Sequence, residues 1–325
     1  MSSLKKIFSN NYIPILLLMV LFIAFYISLI VGSQYIPFST LWQSPNSHLL
    51  DIVLSIRLPR SINAITIGAL LSIAGLMIQN LVKNPLADPY ILGLSGAAAS
   101  VQLIIIASGI ILPFWLFMLS GFTAAIVSLI LLLLISSNKK LNTHKLLLSG
   151  VVMAFAYGAI ISLILTISSM NTTKPMLFWL MGDLSYSQSS IYPIFLLLAG
   201  MIWAYTYHKE LDILARGEFF AQKCGINVFK INIILLLTTT VFTATAVSMA
   251  GTIGFVGLVV PHISRMLIGN THAKLIPLSA IIGAIFLLIA DTFSRTVVAP
   301  IQLPVGIFTA LIGVPIFIFL LHRRS

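Results

Sequence analysis

The chain alternates between long apolar runs and short polar connections over its whole length. Ten runs are apolar enough to be membrane spans, for which about 20 residues are needed. The third and eighth runs are short and contain glycine, which is tolerated where protein or a water-filled cavity, not lipid, surrounds the backbone. The pattern predicts an all-α membrane protein, a polytopic bundle of about ten transmembrane helices with those two inside it. The predicted spans are residues 13–31, 62–81, 91–107, 112–135, 146–168, 191–207, 229–249, 255–268, 275–293 and 305–321.

One internal segment, residues 208–230, is polar enough to belong in water. It carries seven charged side chains, whereas the apolar runs on either side of it carry almost none. A membrane protein rarely places so polar a segment in mid-chain without a partner or ligand on that side. We therefore expect this segment to contact a soluble partner.

The composition agrees with a membrane protein and changes how the net charge is interpreted. Of 325 residues, 59% are hydrophobic and 8% are charged, with a mean hydropathy of +1.10. A soluble domain carries about 25% charged residues. The net charge of +11 would suggest nucleic acid for a soluble protein, but here most basic residues are explained as topology signals. We expect a single transmembrane domain over residues 1–325 and no nucleic-acid partner.

The distribution of basic residues predicts the orientation. An even number of spans places both termini on one side of the membrane, together with residues 208–230. Fourteen lysines and arginines fall on that side, and four fall on the other, namely Arg57, Arg60, Lys174 and Arg295. Because basic residues concentrate in cytoplasmic loops, both termini and the polar segment are predicted to be cytoplasmic.

The residue inventory disfavours an independent energy source. A single cysteine and six scattered histidines give no metal cluster, so no metal or other cofactor is expected. The chain has no G-x-x-x-x-G-K-[ST] loop, so it is not expected to hydrolyse ATP or to be an enzyme with catalytic residues. Asp88, Asp183 and Asp291 fall at span ends or in loops. An ion-coupled secondary transporter, the main alternative, usually needs an acid within the membrane.

Two motifs place prolines and small residues at span boundaries. The first is NPLADPYILGLSGA at 84–97, in which Pro85 and Pro89 remove backbone donors and favour an ordered turn. The second is GTIGFVGLVVPHISR at 251–265. Its glycines favour close helix packing first and a hinge beside the pathway second. His262 is interpreted as a packing or capping residue rather than a ligand.

These motifs resemble those of the permease subunits of type II ATP-binding-cassette importers for iron–siderophore complexes, haem and cobalamin. The resemblance covers nearly the whole chain and implies the permease fold of that family. It implies a homodimer in the bacterial plasma (inner) membrane, two copies of a cytoplasmic ATPase, and a periplasmic or lipid-anchored substrate-binding protein. Residues of the two motifs are expected near the pathway: Asn84, Pro85, Asp88, Pro89, Gly93, Gly254, Gly257, Pro261, His262 and Arg265.

The resemblance assigns the polar segment 208–230 to coupling with the ATPase. The family's usual Glu-Ala pair is Glu218-Phe219 here, and the two phenylalanines are expected to be apolar anchors. The alternative is a solvated amphipathic loop that lies on the membrane. The expected contact residues are Arg216, Gly217, Glu218, Phe219, Phe220, Ala221 and Gly225.

On the opposite side, the resemblance assigns Arg57, Arg60 and Arg295 to docking of the binding protein. The alternative is that each arginine extends to a lipid headgroup. Asp291 lies four residues before Arg295, so that pair is also expected to interact locally.

The resemblance also implies a pathway between the fifth and tenth spans of the two protomers. The expected function is therefore the translocation subunit of an ATP-driven importer, with iron(III)–siderophore as the first substrate. Cobalamin and haem stay open, and so does a receptor or structural subunit without transport.

Overall fold

The computed structural model describes residues 12–36, 48–138, 140–141, 143–185 and 192–322, and most of them are helical. A two-residue antiparallel ladder joins β1 (Ser137–Asn138) to β2 (Lys140–Leu141). A helical turn (His48–Asp51) and a π-helical turn (Ile52–Arg57) precede α2, and a 3₁₀ turn (Pro89–Leu92) precedes α3. The helices are α1 (Tyr12–Ile30), α2 (Leu58–Val82), α3 (Leu94–Ala107), α4 (Phe114–Ser136), α5 (Thr143–Ile167), α6 (Met170–Leu180), α7 (Tyr192–Thr206), α8 (His208–Leu214), α9 (Glu218–Lys223), α10 (Val228–Ala250), α11 (Val256–Ile268), α12 (His272–Thr296) and α13 (Val305–His322).

Every predicted apolar run corresponds to a helix, within a few residues at its ends. In the described part of the chain, six helices are long and apolar enough to cross a membrane: α1, α2 with its N-terminal turns, α4, α5, α10 and α12. The other four runs are the shorter apolar helices α3, α7, α11 and α13. A count of ten spans requires these four to cross as well, and it stays a prediction. Helix α6 was not predicted, because four polar residues occupy its first half.

The helices differ strongly in how deeply they lie inside the bundle. In the most apolar stretch of α2, 89% of the residues are buried, against 11% in α1. Helices α10 and α12 are also largely enclosed, whereas α4 and α5 are mostly exposed. The two short runs predicted to lie inside, α3 and α11, bury about half of their residues. Hydropathy alone does not give this order, because lipid and protein interior are both apolar.

The enclosed helices approach each other through glycine. A Cβ atom on Gly68 of α2 would overlap the carbonyl oxygen of Gly283 of α12, and a Cβ on Gly283 would overlap that of Gly68. Small residues permit such close approach of helix backbones in membranes. Helices α2 and α12 therefore pack backbone to backbone near their centres.

Contacts at the ends of α2 and α12 define the two ends of the bundle. Asn80, near the C-terminus of α2, contacts His272, the first residue of α12. Arg60, near the N-terminus of α2, contacts Asp291, near the end of α12. The two helices are therefore antiparallel. We call residues 208–225 the connecting segment; it lies at the Asn80 end, and we call the opposite end the arginine end.

We expect Gly283→Val to destabilise the folded protein by about 1–3 kcal/mol or more, because the added side chain meets backbone that cannot rotate away. Thermal unfolding in detergent would measure the shift. Gly158→Ala in α5 is the matched control, since a Cβ there meets no atom within 4 Å. Equal melting temperatures for the two variants would contradict the close contact of α2 with α12.

Candidate functional site

The two sequence motifs meet in the structure beside α2. The hydroxyl of Tyr90 accepts a hydrogen bond from the backbone N–H of Ile253 at 3.0 Å and donates one to the carbonyl of Ile253 at 3.1 Å. A Cβ on Gly257 would lie 2.7 Å from the Cδ of Pro89. The turn at 84–92 therefore supports the non-helical stretch 251–255, whose backbone would otherwise lack partners inside the bundle.

Gln79 of α2 joins both motifs and was missed by sequence reasoning. Its Nε2 lies 3.3 Å from the carbonyl oxygen of Ala87, 3.2 Å from that of Gly257 and 3.3 Å from that of Leu258. Its Oε1 accepts a hydrogen bond from the guanidinium of Arg265. One buried amide thus contacts the first motif through its turn and the second motif through α11. The sequence signal that could have identified Gln79 was an amide side chain within an otherwise apolar run.

Side chains of the first motif shape its turn. The carboxylate of Asp88 accepts a hydrogen bond from the backbone N–H of Tyr90 at 2.8 Å, and Asn84 Oδ1 accepts one from Leu86 N at 2.9 Å. Gly93 has a φ of 74°, a left-handed conformation that glycine adopts without strain. Burial raises the pKa of Asp88 to about 6, although the hydrogen bond from Tyr90 opposes the shift. The predicted ordered turn is present, with Pro85 partly exposed and Pro89 buried.

The second motif contains residues with different surroundings. Pro261 and His262 are buried within α11, so His262 agrees with its interpretation as a packing residue. A Cβ on Gly251 would overlap the carbonyl oxygen of Trp179. A Cβ on Gly254 would meet no atom within 4 Å, so the close packing predicted for this glycine is wrong. Only Gly251 and Gly257 are required by packing in this conformation.

The connecting segment presents two phenylalanines to its surroundings. Phe219 is 71% exposed and Phe220 is 43% exposed. The ammonium of Lys223 lies 4.5 Å from the centre of the Phe219 ring, and Glu218 forms an ion pair with Lys83 at 3.0 Å. An apolar pair surrounded by charge is the arrangement of an interface centre with a polar rim.

The rest of the connecting segment holds these side chains in place. Ala221 is fully buried, so it seats α9 on the bundle and is not available to a partner. This corrects the expectation that Ala221 belongs to a contact surface. Gly217, with a φ of 122°, directly precedes α9, and Gly225, with a φ of 79°, follows it; Arg216 is exposed.

Three arginines form a buried cluster at the arginine end. Each of Arg57, Arg60 and Arg295 is at most 5% exposed. Arg60 Nε and Arg295 Nε lie 2.9 and 3.1 Å from the two carboxylate oxygens of Asp291, which is itself fully buried. Arg57 donates to the carbonyl oxygens of Leu29 and Ile30 at the end of α1.

This geometry corrects the expectation that the arginines project from the surface. Arg60 Nη1 also donates to Ser185 Oγ at 2.8 Å and Gln302 Oε1 at 2.7 Å, so its guanidinium is held on several sides. The pair of Asp291 with Arg295 was predicted, but the second ion pair of Asp291, with Arg60 of α2, was not. Docking of a partner at these arginines stays a prediction that requires the cluster to open.

Among the described residues, no group of three potential ligands is placed to hold a metal ion. The structure places the exposed pair Phe219 and Phe220 at one end, a buried ion cluster at the other, and polar side chains that join the helices between them.

We expect Asp291→Asn to destabilise the protein by about 3–5 kcal/mol, because two buried guanidinium groups lose their only carboxylate partner in the cluster. Thermal unfolding would measure this. Asp51→Asn, at an exposed carboxylate, is the control and should change little. A second change, Arg60→Gln, should restore part of the lost stability; a purely additive double variant would contradict the pairing.

Comparisons with known proteins agree with this geometry. The pattern of the FecCD transport family matches residues 19–323. The hemin transport system permease protein HmuU of Yersinia pestis is 36% identical over 301 residues, covering 90% of each chain. The vitamin B12 import system permease protein BtuC of Vibrio vulnificus is 34% identical over 312 residues, covering 95% of this chain and 93% of the relative.

Two further comparisons agree. The Fe(3+) dicitrate transport system permease protein FecD of Escherichia coli is 35% identical over 307 residues, covering 91% of this chain and 94% of the relative. A solved structure described as a metal-chelate type ABC transporter in an inward-facing conformation aligns with a TM-score of 0.87 and 27% identity, covering 97% of this chain and all of the other. The chain therefore belongs to the FecCD transport family, as a membrane-spanning permease of an ABC importer for chelated metals, haem or vitamin B12.

Proposed function

We propose that this chain forms, as a homodimer, the translocation pathway of an importer for an iron(III)–siderophore complex. Two copies of a cytoplasmic ATPase drive it through the connecting segment, and a substrate-binding protein delivers the chelate at the arginine end. The observation that carries the proposal is the exposed pair Phe219 and Phe220 on a segment whose Ala221, Leu211 and Leu214 are buried. The segment is thus fixed to the bundle and offers an apolar contact outward.

The proposed ATPase contact is supported by the surroundings of the two phenylalanines. A loop that lies on the membrane would insert both rings into lipid and turn mainly basic side chains toward the headgroups. Here Lys223 covers one ring, and Glu218 and Arg216 are accessible beside it. Aromatic anchors within a charged rim dominate the energetics of protein interfaces. We therefore infer a protein partner.

The proposed homodimer is supported by the exposed faces of α5 and α13. Both helices are apolar and largely unenclosed in one chain: Phe155 and Leu163 on α5 are 76% and 61% exposed, and Leu311 on α13 is 63% exposed.

The hydroxyls of Ser162 and Thr166 on α5 donate to carbonyls of their own helix. A wall with few free polar groups suits a large chelate, because a pathway that bound it tightly would release it slowly.

The proposed substrate is supported by the relatives, whose names include ferric dicitrate, haem and vitamin B12 permeases. Iron(III)–siderophore is our first choice, and haem and cobalamin are the alternatives. The binding protein, rather than this chain, is expected to select among them.

An ion-coupled secondary transporter is the competing proposal of another class. It needs an acidic carrier within the membrane. In the described residues, Asp291 is the acid most deeply buried in a spanning helix, and two arginines hold it. Its carboxylate is held between these two arginines, whereas a carrier acid must be free to bind and release its ion. This favours an external energy source.

The proposed location is the inner membrane of a bacterium, with both termini in the cytoplasm. The basic residues concentrate toward the termini and the connecting segment, as expected for cytoplasmic loops. The C-terminus of α1 contacts Arg57 at the arginine end, so the start of α1 points toward the connecting-segment end. That arrangement supports a cytoplasmic N-terminus.

We expect the double variant Phe219→Ala, Phe220→Ala to weaken ATPase binding by at least about thirtyfold, the effect of losing about 2 kcal/mol from anchor residues. Affinity of the purified permease for its ATPase would be measured in detergent. Phe195→Ala, at a residue that is 61% exposed on α7, is the control and should bind normally. Unchanged affinity in the double variant would refute the assignment of this contact.

We expect proteoliposomes with the permease, its ATPase and its binding protein to accumulate an iron-55 hydroxamate chelate only when ATP is supplied. Labelled haem and cyanocobalamin are the comparison probes, and preferential uptake of either would replace the iron chelate as substrate. Uptake without the ATPase, driven by a proton gradient, would contradict the importer and support the secondary transporter.

A further inference from the structure

A buried polar network joins the connecting segment to α2 and α12. Asp212 of α8 accepts two hydrogen bonds at Oδ1, from the backbone N–H of His272 at 2.8 Å and from its ring Nδ1 at 2.6 Å. Asn80 Nδ2 donates to the carbonyl of Leu211 at 3.4 Å and lies 3.2 Å from His272 Nε2. The imidazole is only 5% exposed. Neither the predicted coupling contact nor the family motifs include these residues.

The hydrogen-bond network determines which ring nitrogen of His272 carries the proton. The carbonyl of Leu211 can only accept, so the NH₂ group of Asn80 faces it and faces Nε2 with its other hydrogen. Nε2 must then be the unprotonated nitrogen, and the ring proton is on Nδ1, where it donates to Asp212. A neutral His272 therefore satisfies all the members of the network.

Asp212 also serves as the cap of α12. The residue before the helix, Thr271, makes no side-chain hydrogen bond to the helix start. The carboxylate that accepts the first N–H comes instead from α8, 60 residues earlier in the chain. A negative charge at a helix N-terminus is favourable, because the free N–H groups there carry partial positive charge. The connecting segment thus completes α12.

The α2–α12 pair extends this attachment to the other end of the bundle. In the middle, Ser72 Oγ donates to the carbonyl of Ser279 at 2.7 Å, beside the glycine contact. At the far end, Arg60 and Asp291 form their ion pair at 2.9 Å. The 25 residues of α12 span about 37 Å at the rise of an α-helix. The pair is therefore joined at both ends and in the middle.

Building on the proposed function, we propose that Asp212, His272 and Asn80 are positioning residues that fasten the connecting segment to the α2–α12 pair, so that this pair carries the ATPase-driven movement of the segment to the arginine cluster. Rigid elements with discrete arrangements are the physical carriers of such coupling. The phenylalanines would then hold the ATPase, and the network would transmit its movement.

The test separates binding of the ATPase from coupling to transport. In the same proteoliposomes, the number of ATP molecules hydrolysed per labelled probe transported is measured for Asp212→Ala and Asn80→Ala, with the probe that the wild-type protein takes up. Affinity for the ATPase is measured alongside. We expect both variants to bind the ATPase within about twofold of wild type, and the ratio to rise at least about fivefold, the lower range of coupling between sites.

Two further variants sharpen the result. Asp212→Asn retains an Oδ1 acceptor for the N–H of His272, so it should restore part of the coupling that Asp212→Ala loses. Phe195→Ala changes an exposed residue of α7, outside the connecting segment, and should leave the ratio at the wild-type value. If Asp212→Ala does not fold, Asn80→Ala carries the same test.

An unchanged ratio in Asp212→Ala and Asn80→Ala would overturn the inference. So would loss of ATPase binding in both variants with normal binding of Phe195→Ala, because the network would then only shape the docking surface. Failure of the proposed function looks different, since the wild-type protein itself would neither bind an ATPase nor depend on one for uptake.

Discussion

The backbone contact between α2 and α12 at Gly68 and Gly283 is the constraint on which the rest of the structure depends. Lipid tails are as apolar as the protein interior, so an apolar side chain gains little free energy by moving from lipid into a helix interface. Helix association in a membrane therefore relies on close packing and on polar pairs. The glycine contact supplies the packing and brings polar groups within reach: Ser72 with Ser279 near the centre, and Arg60 with Asp291 at one end. A bulkier pair at the centre would separate all of them.

Buried polar groups recur wherever the protein must fix a geometry inside the bundle. Gln79 joins the two motifs, Tyr90 holds the non-helical stretch before α11, and Asp212 completes α12. The amide of Gln79 is buried, and a buried hydrogen-bonding group without a partner would be costly. The exposed apolar faces, by contrast, lie mostly on α1, α4 and α5. A few amides, hydroxyls and carboxylates thus determine how the helices are arranged, and the apolar majority of residues makes the protein soluble in the membrane.

The helices themselves could be predicted from the sequence, because long apolar runs bounded by charge have few other solutions. The polar connecting segment and the exposure of Phe219 and Phe220 also agree with expectation. The sequence does not show which residues that are far apart in the chain lie close together in the folded protein. The arginines were expected at the surface because Asp291, which holds Arg60, is 231 residues away in the chain. Ala221 matched a contact motif, but only the fold shows that it faces inward. Gln79 and Asn80 were counted as part of a span.

The separation of Arg60 from Asp291 has a consequence for how the molecule is made. During synthesis, the second helix enters the membrane with Arg57 and Arg60 long before the carboxylate that balances Arg60 exists. Until then, these arginines can reach the headgroup layer with their long side chains. When α12 is inserted, Asp291 can form its ion pair with Arg60, whereas Arg57 already has the carbonyl groups at the end of α1 as partners. The ion pair of Arg60 can therefore form only late in synthesis, and a chain truncated before Asp291 would leave Arg60 without its carboxylate partner.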